Sequence, residues 1–171
     1  MIDLNDMIRQ MTRNAEAIRA LLHTVSDEQA DWKPGPDIWS LKEVMAHIYN
    51  EERIDFRKHL KEMFSTPPQP WGEFRSEELV SVESCRQALE SFLTEREASI
   101  AWLKALVSPD WDAVSRTPFG PAGDMLVLSA GDVLVSWVAH DFLHIRQLNE
   151  VLYAWNEKQA SPYSVQYAGG W

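Results

Sequence analysis

The sequence predicts an all-α fold, a four-helix bundle with long crossover connections. Three observations carry this reading. Four stretches place apolar residues at the three-and-four spacing of a helical stripe. Two of those stretches open with a serine and an acid three residues later, the signature of a capping box. Two connectors are long and rich in turn residues, as in bundles whose order is not simple up-and-down.

The first helix is expected over about residues 3–23, where Leu4, Met7, Ile8, Met11, Ala15, Ile18, Leu21 and Leu22 form one stripe. The segment SDEQADWKPGPDIWS then reads as a loop held by two prolines and pinned by Trp32. Ser40 and Glu43 cap the second helix, with Trp39 placed to staple onto Val44. Leu41, Val44, Met45, Ile48, Phe56 and Met63 give it an inward face over residues 40–63, and the Pro67-Pro68 pair stops it. A proline-rich connector leads to Ser76 and Glu78, which open a third helix over 76–107 carrying Leu79, Cys85, Leu89, Phe92, Leu93, Ile100, Leu103 and Leu106. Residues 109–128 hold too many turn formers for a helix and leave room for a short extended piece. The fourth helix starts at Ser129, capped with Asp132, and runs to about residue 155. Residues 156–171 form an aromatic, irregular tail laid against the bundle. All of this fits one domain over 171 residues, a length sufficient to bury a core without disulfides.

Composition narrows the function. Hydrophobic residues at 45% and charged residues at 25% are ordinary for a globular protein, and eight Trp against seven Gly indicate bulky packing. The formal net charge of -10 opposes phosphate binding, so neither nucleic acid nor an anionic membrane surface is expected as a partner. The opening residues lack the apolar run of a secretory signal, and no stretch reaches the ~20 apolar residues of a membrane span. With Cys85 as the only cysteine, the chain fits the reducing cytoplasm, and the helical spacing of Cys85 makes it a packed thiol rather than a nucleophile. HExxH, a glycine-rich phosphate loop and GxSxG are all absent.

Histidine supplies the chemistry. His140 and His144 stand four apart, so both rings leave one face of the fourth helix, on a stripe with Val133, Trp137, Gln147 and Val151. That stripe points into the bundle, where a neutral imidazole needs a hydrogen-bonding neighbour or a metal. His47, on the edge of the apolar face of the second helix, is the third candidate ligand. Three neutral imidazoles from two helices make the protein half of a site that keeps coordination positions open, the catalytic pattern for zinc; nickel, iron or manganese suit it also.

The segments WSLKEVMAHI at 39–48 and HDFLHIRQL at 140–148 resemble the two signature segments of the DinB-like (DinB/YfiT) superfamily, and the resemblance spans essentially the whole chain. It implies a four-helix bundle in which one histidine of the second helix and an HxxxH pair of the fourth hold a divalent metal, positions that match His47, His140 and His144. It also implies a choice of reactions, because the family includes S-transferases that use a low-molecular-weight thiol, an isomerase branch and metal-dependent hydrolases.

Three further residues are candidates beside these ligands. Glu51, one turn past His47, is placed to accept a proton from water on a metal or to hold a ligand in position; a solvated helix carboxylate is the alternative. Asp141 projects into the stripe of Leu134, Val138, Ile145 and Leu148, so a buried carboxylate is expected, paired with an Arg of the second or third helix or else orienting a ligand histidine. Gln147 either touches substrate or bridges helices. Glu43 is accounted for by its cap, and His23 and His59 have no partner at chelating spacing and read as structural. The function expected is a metal-dependent transferase or hydrolase acting on a small organic molecule. In that reading the 64–75 connector and the tail shape the pocket mouth. The contrasting expectation is a non-catalytic metal-binding or stress-response bundle; a homodimer is compatible with either and required by no residue.

Overall fold

In the computed structural model, described over residues 2–69, 71, 78–119 and 124–169, both capping boxes form. Ser40 accepts from the Glu43 backbone N–H while the Glu43 carboxylate accepts from Ser40 N at 2.7 Å. Ser129 and Asp132 repeat the exchange, with Ser129 N donating to the Asp132 carboxylate at 2.8 Å. Each box satisfies two backbone donors that a helix start leaves open, which is why these two starts fall where the sequence puts them.

The elements are α1 (Leu4–Leu22), α2 (Asp27–Asp31), α3 (Leu41–Ile54), α4 (Phe56–Met63), α5 (Cys85–Lys104), the strands β1 (Val114–Phe119) and β2 (Asp124–Ser129), and α6 (Ala130–Gln159). α1 and α3 each pack against both α5 and α6, while α4 continues along α6. α1 and α3 therefore occupy opposite corners of the bundle, as do α5 and α6. Two connections must cross the bundle end: one carries α2, the other an antiparallel hairpin that pairs Val114 with Ser129 and Phe119 with Asp124.

Four expectations are corrected. The 24–39 loop contains the short helix α2, capped by Ser26. The second helix is not continuous over 40–63: it breaks at Asp55, whose backbone (φ -112, ψ -98) leaves the helical region, and α4 starts at Phe56. The third helix begins at Cys85, capped by Ser84, not at 76; residues 76 and 77 lie outside the described residues. Residues 79–83 are neither helix nor strand; the Asn50 side chain holds this stretch, accepting from Val80 N at 2.9 Å and donating to Val80 O at 3.1 Å. Leu79 and Val80 stand largely exposed rather than on a core stripe. Finally, α6 extends to Gln159, and among the described residues of the tail Tyr163 and Tyr167 are not buried against the bundle but fully or nearly fully exposed.

The core has two apolar clusters. One gathers Ile18, Leu41, Met45, Ile48, Phe92 and Leu148; the other gathers Met11, Leu60, Leu103, Leu134 and Trp137. Buried polar groups lie at intermediate positions along all four helices, and Arg96 of α5 is their centre. Its guanidinium clasps Asp141 of α6 through two bonds of 2.7 and 2.8 Å and donates to Glu52 of α3 at 2.8 Å. Asn14 of α1 donates to Asp141 at 3.2 Å, and Trp137 Nε1 donates to Glu52 at 2.8 Å. Burial works against the charged guanidinium, but Glu52 and Asp141 outweigh it and hold Arg96 above its usual pKa. Every bundle helix thus contributes to one polar layer, whose cost of desolvation is offset only while all partners are present.

Candidate metal centre

Two elements bring the site together. α3 presents His47 two turns beyond the Ser40 cap, and α6 presents His140 and His144 on successive turns. The three rings meet where these helices pack, all half-buried. His140 Nε2 lies 3.2 Å from His47 Nε2 and 3.0 Å from His144 Nε2.

Hydrogen bonding alone accounts poorly for this cluster. A neutral ring nitrogen carries either one N–H or one lone pair, so His140 Nε2 cannot make two full bonds to two other ring nitrogens. Three lone pairs directed at one cation fit better: imidazole nitrogens about 2.0–2.1 Å from an ion and 90–110° apart would sit roughly 3.0–3.4 Å from one another. The donor set is therefore suited to a divalent metal of the zinc, nickel, iron or manganese type.

Electrostatics keep the lone pairs free. Burial first, and then the His144 ring, push His47 down to about 4. Burial, His144 and His47 push His140 down to about 3. His144 is lowered too, burial outweighing its contact with Gln147. At neutral pH all three rings are uncharged.

Each remaining candidate has a definite place. Gln147 Oε1 lies 2.8 Å from His144 Nδ1, so Nδ1 carries the proton and Nε2 the lone pair that faces the other rings. Gln147 therefore bonds a ring of the cluster, a role between the two weighed for it. Asp141 pairs with an arginine, Arg96 of α5, the first of the two roles expected for it. Glu51 Oε1 approaches His47 Nδ1 to 3.8 Å, on the ring edge opposite the cluster. Burial, followed by its hydrogen bond with Asp55, pushes Glu51 up to about 8, so it holds a proton at neutral pH. Asp55 is lowered, since bonds from His59 and Glu51 outweigh its burial. Glu43 stays at its cap and also pairs with Lys33. His23 bonds the Ala20 carbonyl at 3.1 Å, and Cys85 is buried, its thiol pushed up to about 11 by that burial and then by Asp31 and Asp27.

Trp39 lies against the ring of His47, centroids 5.3 Å apart, and Phe56 stacks on Trp137 while approaching His140. The residue the sequence reading passed over is Asp55. A signal for it exists: His47, Glu51, Asp55 and His59 recur at intervals of four, which puts four polar side chains on one edge of α3 and α4.

A profile of the DinB superfamily matches residues 10–148. Curated protein sequences return no match. Among solved structures the fold is similar to YfiT from Bacillus subtilis, described as a probable metal-dependent hydrolase with an unusual four-helix bundle topology, at a TM-score of 0.67 and 12% identity over 91% of this chain and 90% of that one. It is also similar to a conserved protein from Enterococcus faecalis, at a TM-score of 0.64 and 16% identity over 90% of this chain and 97% of that one. At these identities the likeness concerns fold. Because the family profile covers most of the sequence, and carries all three clustered histidines within its span, the chain belongs to the DinB superfamily.

Proposed function

We propose that this protein is a metal-dependent enzyme that hydrolyses a small organic molecule, with His47, His140 and His144 holding one divalent ion. The observation that carries the proposal is the convergence of three uncharged Nε2 atoms, at 3.0 and 3.2 Å from the central one, from two different helices. Among the described residues no fourth histidine, cysteine or carboxylate joins the cluster, which favours open coordination positions over a closed structural site. The description of YfiT as a probable metal-dependent hydrolase supports the same reaction class.

A divalent ion on such ligands lowers the pKa of water and polarises a substrate oxygen. The protein's own groups do the rest. Gln147 fixes the tautomer of His144, and the three rings are only half-buried. Glu51, holding its proton at neutral pH, lies 3.8 Å from His47 Nδ1 on the ring edge that faces away from the cluster, where it bears on the setting of that ring.

The test is turnover by zinc-, nickel-, iron- or manganese-loaded protein on a panel of esters and amides, run beside a panel of electrophiles with low-molecular-weight thiols. Hydrolysis abolished by His140→Ala supports the proposal. Activity confined to the thiol panel would move the protein to the S-transferase reading, and bound metal with no turnover in either panel would favour a non-catalytic metal-binding role.

A further inference from the structure

Three large apolar side chains of α6 are turned to solvent: Val135 and Phe142 are each 50% exposed and Leu143 is 55% exposed. Among the described residues no other α-helix exposes a large hydrophobic side chain. At about 100° per residue these three, with the exposed Ser136 and Ala139, fall within one stripe roughly 120° wide. It runs on the side of α6 away from the buried Leu134, Val138, Asp141 and Leu148. A contiguous apolar stripe at the middle of a 30-residue helix marks a surface that something covers.

The stripe itself says what covers it, because its residues are arranged symmetrically about Ala139. Val135 and Leu143, both apolar, stand four positions to either side; Ser136 and Phe142 stand three to either side. Asp132 and Arg146, opposite in charge and both exposed, stand seven to either side. Positions 132, 135, 139, 142 and 146 alternate steps of three and four, the spacing of a helix-pairing seam. Two copies of α6 laid antiparallel with Ala139 on the two-fold axis therefore set Val135 against Leu143, and Asp132 against Arg146 at both ends. A parallel pair would set each charge against its like. The small Ala139 at the axis lets the helices close. Arg146 is oriented by Glu150 of its own helix, Nε to Oε1 at 3.3 Å, and Asp132 takes its cap bonds on Oδ2, which leaves Oδ1 for a cation. At a net charge of -10 two copies repel one another in general, so a face that pairs opposite charges is where they can meet.

We propose that this face of α6 is the contact of a homodimer, in which α6 packs antiparallel on α6 of a second copy about Ala139. The contact is isologous, each copy giving the same residues, and it is independent of the hydrolase reading.

The experiment is sedimentation velocity of the full chain over a range of concentrations, in buffer with a chelator so that no metal bridges the copies. The wild type should pass from monomer to dimer as concentration rises. Phe142→Ser should stay monomeric over the same range with an unchanged helical circular dichroism spectrum. Arg146→Asp should weaken association about tenfold, and Asp132→Lys combined with Arg146→Asp should recover most of it. The register is tested by mild oxidation of two single variants, since the native Cys85 is buried. Ala139→Cys should give a disulfide-linked dimer, whereas Glu150→Cys should not, its two copies lying about 33 Å apart along the helices at 1.5 Å per residue. A wild type that is monomeric at every concentration would overturn the proposal and leave the face to a different protein. A dimer that survives Phe142→Ser, or that cross-links as readily through Glu150→Cys as through Ala139→Cys, would overturn it too.

Discussion

His144 owes its coordinating lone pair to a neighbour one turn along the same helix. With Nδ1–H donated to Gln147, its Nε2 is committed to the cluster; removing the amide frees the ring to adopt either tautomer. Gln147→Leu is therefore expected to weaken zinc binding about 10- to 100-fold while leaving the urea midpoint of the metal-free protein nearly unchanged, measured by competition with a chromophoric chelator. The pH dependence of stability follows from the same residues. His47 and His140 have folded values of about 4 and 3, below the usual 6.5, so between pH 4 and 6.5 the unfolded chain binds protons that the folded one does not, and stability falls as pH drops through that window. Glu51, raised to about 8, acts the other way: above its ordinary range the folded chain holds the extra proton, and stability declines as pH rises toward 8. Metal-free protein should be most stable near pH 6.5 by urea unfolding, and Glu51→Gln should remove the decline on the alkaline side. A flat profile from pH 5 to 8 would contradict both shifts.

Between the helices, the polar layer around Arg96 sets how α3 and α6 face each other. Glu52 follows Glu51 on α3 and accepts from Trp137 of α6, and Asp141 follows His140, so the clasp ties together the two helices that carry the ligands. Arg96→Met leaves two buried carboxylates without their counter-charge, and a loss of about 3–5 kcal/mol in urea unfolding is expected. Ser129→Ala, which removes one capping partner at an exposed helix start, should cost only about 1 kcal/mol. Equal effects from the two would mean that the buried layer is not what holds the helices. The legibility of these elements differs for physical reasons. Capping boxes and apolar stripes are local patterns, so the starts of α3 and α6 could be read directly. The break at Asp55 could not, because NEERIDFRKHL contains no proline or glycine and continues the amphipathic rhythm across it. The late start of α5 was hidden in the same way: Leu79 suits a stripe by spacing, and it is the long-range bonds between Asn50 and Val80 that hold this stretch outside the helix.

For the molecule as a whole, the three histidines could be found from spacing and family resemblance, and the pairing of Asp141 with an arginine could be inferred from burial alone. Which arginine it is, and that Asn14, Glu52 and Trp137 join it, depends on how four helices meet, which no local pattern encodes. The diagonal arrangement of α1 with α3 and of α5 with α6 explains the long connectors, and it places the ligand helices side by side. An ion bridging them links residues nearly a hundred positions apart, and any ligand that binds only the folded chain stabilises it by mass action, about 2.7 kcal/mol at a hundredfold excess over Kd. The most direct measurement is the metal content of untagged protein, by elemental analysis, beside His47→Ala, His140→Ala and His144→Ala, with the urea midpoint of each taken with and without added zinc. One equivalent of divalent metal per chain in the wild type, lost or sharply reduced in each variant together with the zinc-induced rise in midpoint, is the expected result. Metal retained at the same stoichiometry when all three histidines are replaced together would contradict it.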